Sequence, residues 1–443
     1  MIFKRKIYEE LLQWKRTDEG RPAVLIQGAR RVGKSTIAEK FAANEYETYI
    51  LVDFAACSTE IRDLFNDVSD LNRIFMRLQL EYGTELKERK SAIIFDEVQL
   101  APKARQAIKY LVKDGRYDYI ETGSLISIRK NVKNILIPSE EVKLHMYPMD
   151  YEEFKWALGD TATIKLLQNC FNGRTSLGDA TNRKLMRDFR LYMLVGGMPQ
   201  AVSAYLETNN LEKVDSVKRS IITLYEDDFN KIDQSGNISK MFRQIPAQLT
   251  SNANRYLTWR ATDGTRNSNL AELISEMKES MVVNMAYHAN DPSAGMALHQ
   301  APDKYKMFVG DTGLFVTLAF WDKKFTDNTI YHKLLSDKLN ADLGYVYENV
   351  IAQMLKAAGH ELYYYTFPTD SGKHNYEVDF LIADEDKVSP VEVKSSGYKA
   401  HASLDAFCGK FSARIKNKYL IYTKDMRKEA DMLYMPVYMT MFL

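Results

Sequence analysis

Short apolar runs alternating with helix-patterned segments set the plan of the N-terminal third of the chain. The runs lie at Ala23–Gln27, Tyr49–Phe54, Ala92–Phe95 and Tyr117–Ile120, and helical periodicity fills stretches between them such as Thr36–Phe41 and Leu71–Tyr82. Ile7 to Trp14 carries the same periodicity and leads through charged residues to Arg21-Pro22. A short apolar run bounded by turn residues is a strand buried on both faces. Its alternation with helices predicts an α/β domain with a mainly parallel sheet.

The pattern changes beyond Tyr147-Pro148. Long helical segments follow, among them Met186–Val195 and Asp215–Phe229, and Gly196-Gly197-Met198-Pro199 between them is a helix stop and turn. From Ile238 the spacing predicts helices Ile238–Leu249 and Leu270–Glu279, then a strand at Met281–His288 and a polar loop at Asn290–Gln300. Two helices and a hairpin make a winged-helix-like module. The last segment starts near Leu334, with a helix from about Leu343 to Ala358 and strands Leu362–Phe367, Glu377–Ile382, Pro390–Val393 and Tyr419–Thr423. This second α/β pattern is separate from the first. The expected divisions are therefore 1–150, a helical extension over 151–235, the winged-helix-like module over 236–325, and a terminal α/β domain over 334–443.

Composition narrows the class. At 443 residues the chain exceeds one ordinary core, and 45% hydrophobic with 27% charged residues is the balance of a globular rather than a disordered protein. The net charge of +1 provides no global attraction to nucleic acid or membrane, so any such binding needs a local patch. Cys57, Cys170 and Cys408 are scattered and odd in number, against a disulfide framework or a cysteine metal site. The N-terminus lacks the apolar stretch of a signal peptide, and no apolar run approaches the roughly 18 residues of a membrane span. A cytoplasmic protein without a membrane partner is expected.

The strongest chemical signal is Gly28-Ala29-Arg30-Arg31-Val32-Gly33-Lys34-Ser35, which fits G-x-x-x-x-G-K-[ST] between a buried strand and a helix that takes in Thr36. Glycines let main-chain amides turn inward around phosphates at the positive end of the helix. Lys34 places a point charge on the β- and γ-phosphates, and the Ser35 hydroxyl is a ligand for Mg²⁺. A second motif, Ala92-Ile93-Ile94-Phe95-Asp96-Glu97, ends an apolar strand in two acids. Asp96 is thereby expected to hold Mg²⁺ at the sheet's carboxyl edge, and Glu97 to orient or deprotonate the attacking water. Glu121-Thr122-Gly123-Ser124 follows another strand, and Thr122 or Ser124 can sense the γ-phosphate or hold that water. An ordinary polar turn has the same pattern. Arg30 or Arg31 can supply transition-state charge, although solvated arginines read the same way.

These motifs, with Gln99 after Val98, Tyr147-Pro148-Met149, Glu153-Phe154, Gly196-Gly197-Met198-Pro199 and Phe308-Val309-Gly310-Asp311-Thr312-Gly313-Leu314, occur in one order. In that order the chain resembles a large group of prokaryotic AAA-type P-loop ATPases. The resemblance implies an ATPase core over 1–150, a winged-helix-like middle, and a restriction-endonuclease-like C-terminal domain of PD-(D/E)XK type. It implies ATP rather than GTP, and ring assembly is common among AAA-type proteins. Arg187, Arg190 and Arg219 are candidates for a trans-acting arginine.

In the terminal domain, Glu348 lies on a helix in line with Gly344, Ile351 and Leu355, and Glu377-Val378-Asp379 and Glu392-Val393-Lys394 lie on successive strands. Strand alternation puts Glu392 and Lys394 on one face, and turns Asp379 away from Val378 and Phe380. Acids on neighbouring strands can hold Mg²⁺ for phosphodiester cleavage, and a lysine beside them can position water. The residues resemble the nuclease signature, with Asp379, Glu392 and Lys394 as its core and Glu348 as the added acid; the signature's proline is absent before Val378-Asp379. A solvated strand face has the same short pattern. After it, Lys399, Lys410, Arg414, Lys416, Lys418, Lys424, Arg427 and Lys428 interleave with Tyr398, Phe407, Phe411, Tyr419 and Tyr422, which suits a nucleic-acid backbone or a helix whose aromatics are core. Two functions are carried forward: an ATP-driven switch with a nuclease-like end domain acting on DNA, and a signalling or scaffold ATPase whose end domain binds a protein without catalysis.

Overall fold

A computed structural model describes residues 1–19, 21–123, 139–251, 255–258, 270–322, 334–336, 344–369, 371–395 and 399–443. Ser124 and Tyr398 lie outside the described residues. The chain divides into two compact units, Met1–Tyr147 with Glu279–Met281, and Pro148–Lys278 with Val282–Leu443.

In the first unit, β1 (Ala23–Gln27), β2 (Thr48–Asp53), β3 (Ser91–Asp96), β4 (Asp118–Gly123) and β5 (Glu141–His145) form one sheet in the order β2-β3-β4-β1-β5. Every pairing is parallel, as the uninterrupted apolar runs predicted. Strand β5 was not predicted. Its Glu-Val-Lys-Leu-His sequence is only partly buried at the sheet edge, so it lacks the apolar signature of its neighbours.

Helix Leu71–Tyr82 shows how the layers lock. Asp70 caps it by accepting from the Arg73 amide, Gly83 ends it at φ +60°, and Ile74, Phe75 and Leu78 turn inward. These side chains join Ile50, Val52, Phe54, Ile93 and Phe95 in one core. The rings of Phe54, Phe65 and Phe95 meet at 5.2–5.9 Å. Burying one such side chain contributes about 1.5–3 kcal/mol, which makes this face a main source of the unit's stability.

The second unit combines helices with an eight-stranded mixed sheet. Its strands are β6 (Val283–Ala289), β7 (Gln300–Val309), β8 (Leu362–Pro368), β9 (Asn375–Asp384), β10 (Lys387–Val393), β11 (Lys418–Tyr422), β12 (Arg427–Glu429) and β13 (Met432–Pro436). Their order is β12-β13-β11-β10-β9-β8-β6-β7. The expected hairpin exists, since β6 and β7 pair antiparallel, but β6 also pairs parallel with β8. The boundary drawn between 236–325 and 334–443 therefore runs through one continuous sheet. The expected helix over 238–249 is also two helices, Asn237–Arg243 and Ile245–Thr250. Pro246 sits in the first turn of the second, where its missing N–H costs least, and it cannot continue the helix before it.

Three of the motifs that carry the family resemblance meet in one buried knot of this unit. Helix Asp179–Val195 stops at Gly196, whose φ is +82°. The Gly197 amide donates to Asp311 Oδ2 at 2.5 Å, the Met149 amide donates to the Gly197 carbonyl at 2.7 Å, and Asp311 Oδ1 accepts from the Leu314 amide at 2.8 Å. A Cβ on Gly197 would fall 2.0 Å from the Met149 carbonyl oxygen, and one on Gly313 would fall 2.6 Å from Gly196 Cα. Lys218, fully buried, donates to the Leu194 carbonyl at 2.6 Å and the Gly313 carbonyl at 3.2 Å. These glycines are explained by close backbone approach rather than chemistry.

Candidate functional site

The phosphate-loop sequence forms a tight cradle at the carboxyl edge of the parallel sheet. Gly28 leaves β1 so close to the neighbouring chain that an added Cβ would sit 2.3 Å from the Met146 carbonyl oxygen. Arg31 and Gly33 take positive φ values of 71° and 98°, which turns the loop back into helix Lys34–Glu45. Arg5 fixes the outer bend, donating to the Val32 carbonyl at 2.7 Å and the Tyr147 carbonyl at 2.6 Å. Nothing in the local sequence marked Arg5, because its partners lie far along the chain.

Lys34 closes the cradle. Its ammonium donates to the Gly28 and Ala29 carbonyls at 3.1 and 3.0 Å, inside the loop. Burial pushes its pKa down to about 8, against the opposing pull of Glu97 and Asp96. Ala29 and Val32 are buried, whereas Arg31 and Thr36 are exposed and Arg30 is partly so.

The register of β3 and β4 pairs Phe95 with Glu121, which puts Asp96 beside Thr122 at the strand ends. Ser35 Oγ donates to Asp96 Oδ1 at 2.7 Å, and the Thr122 hydroxyl donates to the same oxygen. The Glu97 amide donates to Thr122 Oγ1 at 3.3 Å, and Glu97 itself sits at φ +54°. That left-handed turn carries its carboxylate out of the strand direction, and Gln99 Nε2 donates to it. Lys34, Ser35, Asp96, Glu97 and Thr122 are thus brought together from three segments. Gln99 is a further member; the sequence reading quoted it without giving it a role. A hydroxyl and a carboxylate in contact fit Mg²⁺, which takes one or two protein oxygens and completes its octahedron with phosphate and water.

Below this edge, on the opposite face of β4, Glu121 is fully buried beside Glu141. Burial, then the Glu141 charge, holds its carboxyl well above the usual range, while Arg105 opposes the shift and bonds Glu141 at 3.0 Å. This cluster lies within the core.

In the second unit the predicted acids converge, with an unpredicted lysine among them. Glu392 and Lys394 lie side by side, as strand alternation predicts, and their ion pair measures 2.8 Å. Asp379 Oδ2 accepts from the Val393 amide at 2.8 Å, tying β9 to the end of β10. Ile351 and Leu355, in line with Glu348, are fully buried. Lys306 of β7 reaches Glu377 at 2.5 Å and Glu348 at 3.7 Å. Its side chain is 8% exposed, against 23% and 25% for the two acids. Burial disfavours the Lys306 charge, but Glu348 and Glu377 outweigh it and hold the ammonium well above its ordinary range. Burial also pushes Glu348 up to about 7 and Glu392 up to about 8, and raises Asp379.

Glu392 Oε2 is buried without a hydrogen bond. Among the described residues, no group of three or more His, Cys, Asp or Glu is placed to hold a metal ion. Glu348, Asp379 and Glu392, expected as metal ligands, stand in one cluster with two lysines, Glu348 3.7 Å from Lys306 and Glu392 2.8 Å from Lys394.

The basic run beyond Lys394 is not one open face. Arg414 pairs with Asp291, Lys416 with Asp384 and Glu385, Lys418 with Asp431, and Arg427 with Glu429. Phe407 is core, and Tyr419 and Tyr422 are buried. Of the arginine-finger candidates, Arg219 is engaged with Asp215 at 2.7 Å and with the Trp321 carbonyl at 2.9 Å. Cys57, Cys170 and Cys408 are free thiols. Among the described residues, no helix is long and apolar enough to cross a membrane.

Residues 20–155 match the family model of a AAA domain. Residues 186–324 and 343–440 match two domains of unknown function, DUF8612 and DUF4143. No curated relative matches the chain. Among solved structures it is similar to a Walker-type ATPase of Pyrococcus abyssi, at 16% identity over 72% of this chain and 96% of that one, with a TM-score of 0.44. It is also similar to Cdc6p of Pyrobaculum aerophilum, at 13% identity over 77% and 97% with a TM-score of 0.24. PCH-2 of C. elegans matches at 11% identity over 34% and 41%, with a TM-score of 0.20. The AAA-domain match covers the phosphate loop, the Asp96-Glu97 strand end and Thr122, the residues that the sheet assembles into one nucleotide-binding edge. The N-terminal part of this chain is a P-loop ATPase domain of the AAA type.

Proposed function

We propose that the chain is an ATP-hydrolysing switch whose nuclease-like C-terminal domain engages DNA. The observation that carries the ATPase half is the hydrogen-bonded set Ser35–Asp96–Thr122 beside the buried Lys34 ammonium. Residues Gly28 to Thr36 would cradle the triphosphate, its oxygens taking over the Lys34 contacts now made by loop carbonyls. Ser35 and Asp96 would hold Mg²⁺, which supplies charge neutralisation between the β- and γ-phosphates. Glu97, steadied by Gln99, would orient the attacking water, and Thr122 would couple the γ-phosphate to Asp96. Arg30 and Arg31 lie in the loop where transition-state charge develops.

The convergence of Asp379, Glu392 and Lys394 on adjacent strands supports the DNA half. A non-catalytic reading, in which this domain binds a protein partner as part of a signalling or scaffold ATPase, is favoured by Lys306, whose ion pairs stand where a cage would need open carboxylates. The test is ATP turnover with DNA binding and cleavage, measured on wild type, Lys34→Ala and Asp379→Ala. Lys34→Ala should abolish turnover. Metal-dependent cleavage by wild type that Asp379→Ala removes would establish a nuclease; DNA binding without cleavage supports a gripping domain; the absence of both leaves the protein-binding reading. Unimpaired ATP turnover by Lys34→Ala would overturn the assignment of the cradle.

A further inference from the structure

The C-terminal unit contains a cleft of about 850 Å³ that lies outside the acidic cluster. One wall is helix Asp179–Val195, and the other is the chain running from Tyr422 to Arg427 after β11. Arg183 and Arg190 line it from the helix, and Lys424 and Arg427 line it from the opposite wall. These walls are built to stay together. Asp425 accepts from Ser176 Oγ at 2.5 Å and from the Leu177 and Gly178 amides at 3.1 and 2.6 Å, and Asn182 Nδ2 donates to the Thr423 carbonyl at 3.2 Å.

Those bonds also settle the charge of the cleft. Among the described lining residues, Asp179 and Asp425 stand against Arg183, Arg190, Lys424 and Arg427; Asp425 is turned to the loop it fastens, and Arg427 also pairs with Glu429 at 3.1 Å, so the free positive charge rests on Arg183 and Lys424. Arg183 and Lys424 are exposed and make no hydrogen bond or ion pair with a described residue. Arg190 is set in the wall by its Nε bond to the Tyr347 hydroxyl at 3.3 Å, and Arg427 stacks over the Tyr434 ring at 4.4 Å. Cations held in this way on opposite walls are a receptor for negative charge.

Spacing identifies the shape of that charge. Arg190 follows Arg183 by seven positions, so the two share a helix face about 10 Å apart along the axis. Cations spaced in this way can meet successive phosphates of a chain. The lining aromatic, Tyr422, is buried and presents no open stacking platform, so recognition falls on the backbone rather than the bases. The Lys394 amide donates to the Ile421 carbonyl at 2.9 Å, which places the cleft's Tyr422 next to the Glu392–Lys394 edge. We propose that this cleft grips the phosphodiester backbone of a nucleic-acid strand and leads it past that edge, an inference that rests on the reading that the C-terminal domain engages nucleic acid.

The test is fluorescence anisotropy of the full chain with a labelled 20-nucleotide single-stranded DNA and an RNA of the same sequence, over a series of salt concentrations. The double variant Arg183→Glu/Lys424→Glu is compared with Lys103→Glu/Lys113→Glu, which makes the same change of net charge on the ATPase domain. Loss of two phosphate contacts should weaken binding at least tenfold and flatten the salt slope by about 1.4 in the cleft variant. The control pair should bind as wild type does, and matching melting curves would exclude misfolding. Loss on both strands, or on one alone, supports the cleft, and the second result also names the sugar it serves. Wild-type binding that the cleft variant retains would overturn the cleft while leaving the DNA reading intact. No binding by wild type would overturn both.

Discussion

Replacing Lys306 with Met tests whether the acidic cluster is an internally neutralised ion-pair network. The substitution keeps length and apolar bulk while removing the one charge that reaches both Glu348 and Glu377. Breaking a buried pair by deleting one partner costs about 3–5 kcal/mol, because the other charge is left in a poorly solvated place. Two features of the structure reduce that figure. The acids keep roughly a quarter of their side-chain exposure, and Glu348, pushed up to about 7 mainly by burial, already holds a proton part of the time near neutrality. A loss of about 2–4 kcal/mol at pH 8 follows. For a unit of this size, that lowers the melting temperature by about 3–8 °C.

The sign of the pH dependence is the sharper check. Without the ammonium, the carboxyls hold their protons to higher pH in the folded state than in the unfolded chain. Stability then falls as pH rises above the usual carboxylate value. The deficit relative to wild type should accordingly be larger at pH 8 than at pH 5.5. Adding Glu377→Gln to Lys306→Met should recover part of it. Calorimetric melting at the two pH values reads both effects. An unchanged transition at pH 8, or a deficit of equal size at both pH values, would refute the view that Lys306 neutralises these acids.

Three other expectations follow from particular contacts. Gly28→Ala drives a Cβ toward the Met146 carbonyl and should weaken binding of a fluorescent ATP analogue at least tenfold, about 1.4 kcal/mol, with titration as the check. Gly197→Ala meets main chain at the Met149 carbonyl, with no flexible side chain to yield. It should destabilise the second unit by more than about 4 kcal/mol or prevent its folding, read by circular dichroism and denaturant titration. Glu392, raised to about 8 chiefly by burial, favours the folded state least when it must ionise, so wild-type stability should decline from pH 5.5 to 8.5. Glu392→Gln should flatten that decline; melting curves of equal slope in the two proteins would remove Glu392 as its source.

Local sequence was sufficient wherever the chemistry is local. The cradle from Gly28 to Ser35 is contiguous, so its glycines, lysine and hydroxyl could be assigned without a fold. Strands β1 and β3 carry apolar runs because both of their faces are buried. Glu392 and Lys394 were placed on one face by alternation alone. Strand β7 was hidden because Gln300 to Lys306 mixes charge with Pro302, and only its last residues are continuously buried. Arg5 and Lys306 escaped for a related reason: a side chain that bonds distant partners leaves no periodic trace.

Sequence by itself determined that a phosphate-binding loop exists, which strand ends carry its acids, and which terminal residues could form an acidic edge. These depend on backbone geometry within a few residues, and residue type encodes that geometry directly. Tertiary structure alone decided that β6 and β7 extend the C-terminal sheet, that Lys306 pairs with Glu348 and Glu377, and that Arg183 and Lys424 line opposite walls of one cleft. Each of these joins segments separated by long stretches of chain, where the outcome is set by which surfaces can be buried together rather than by any local preference.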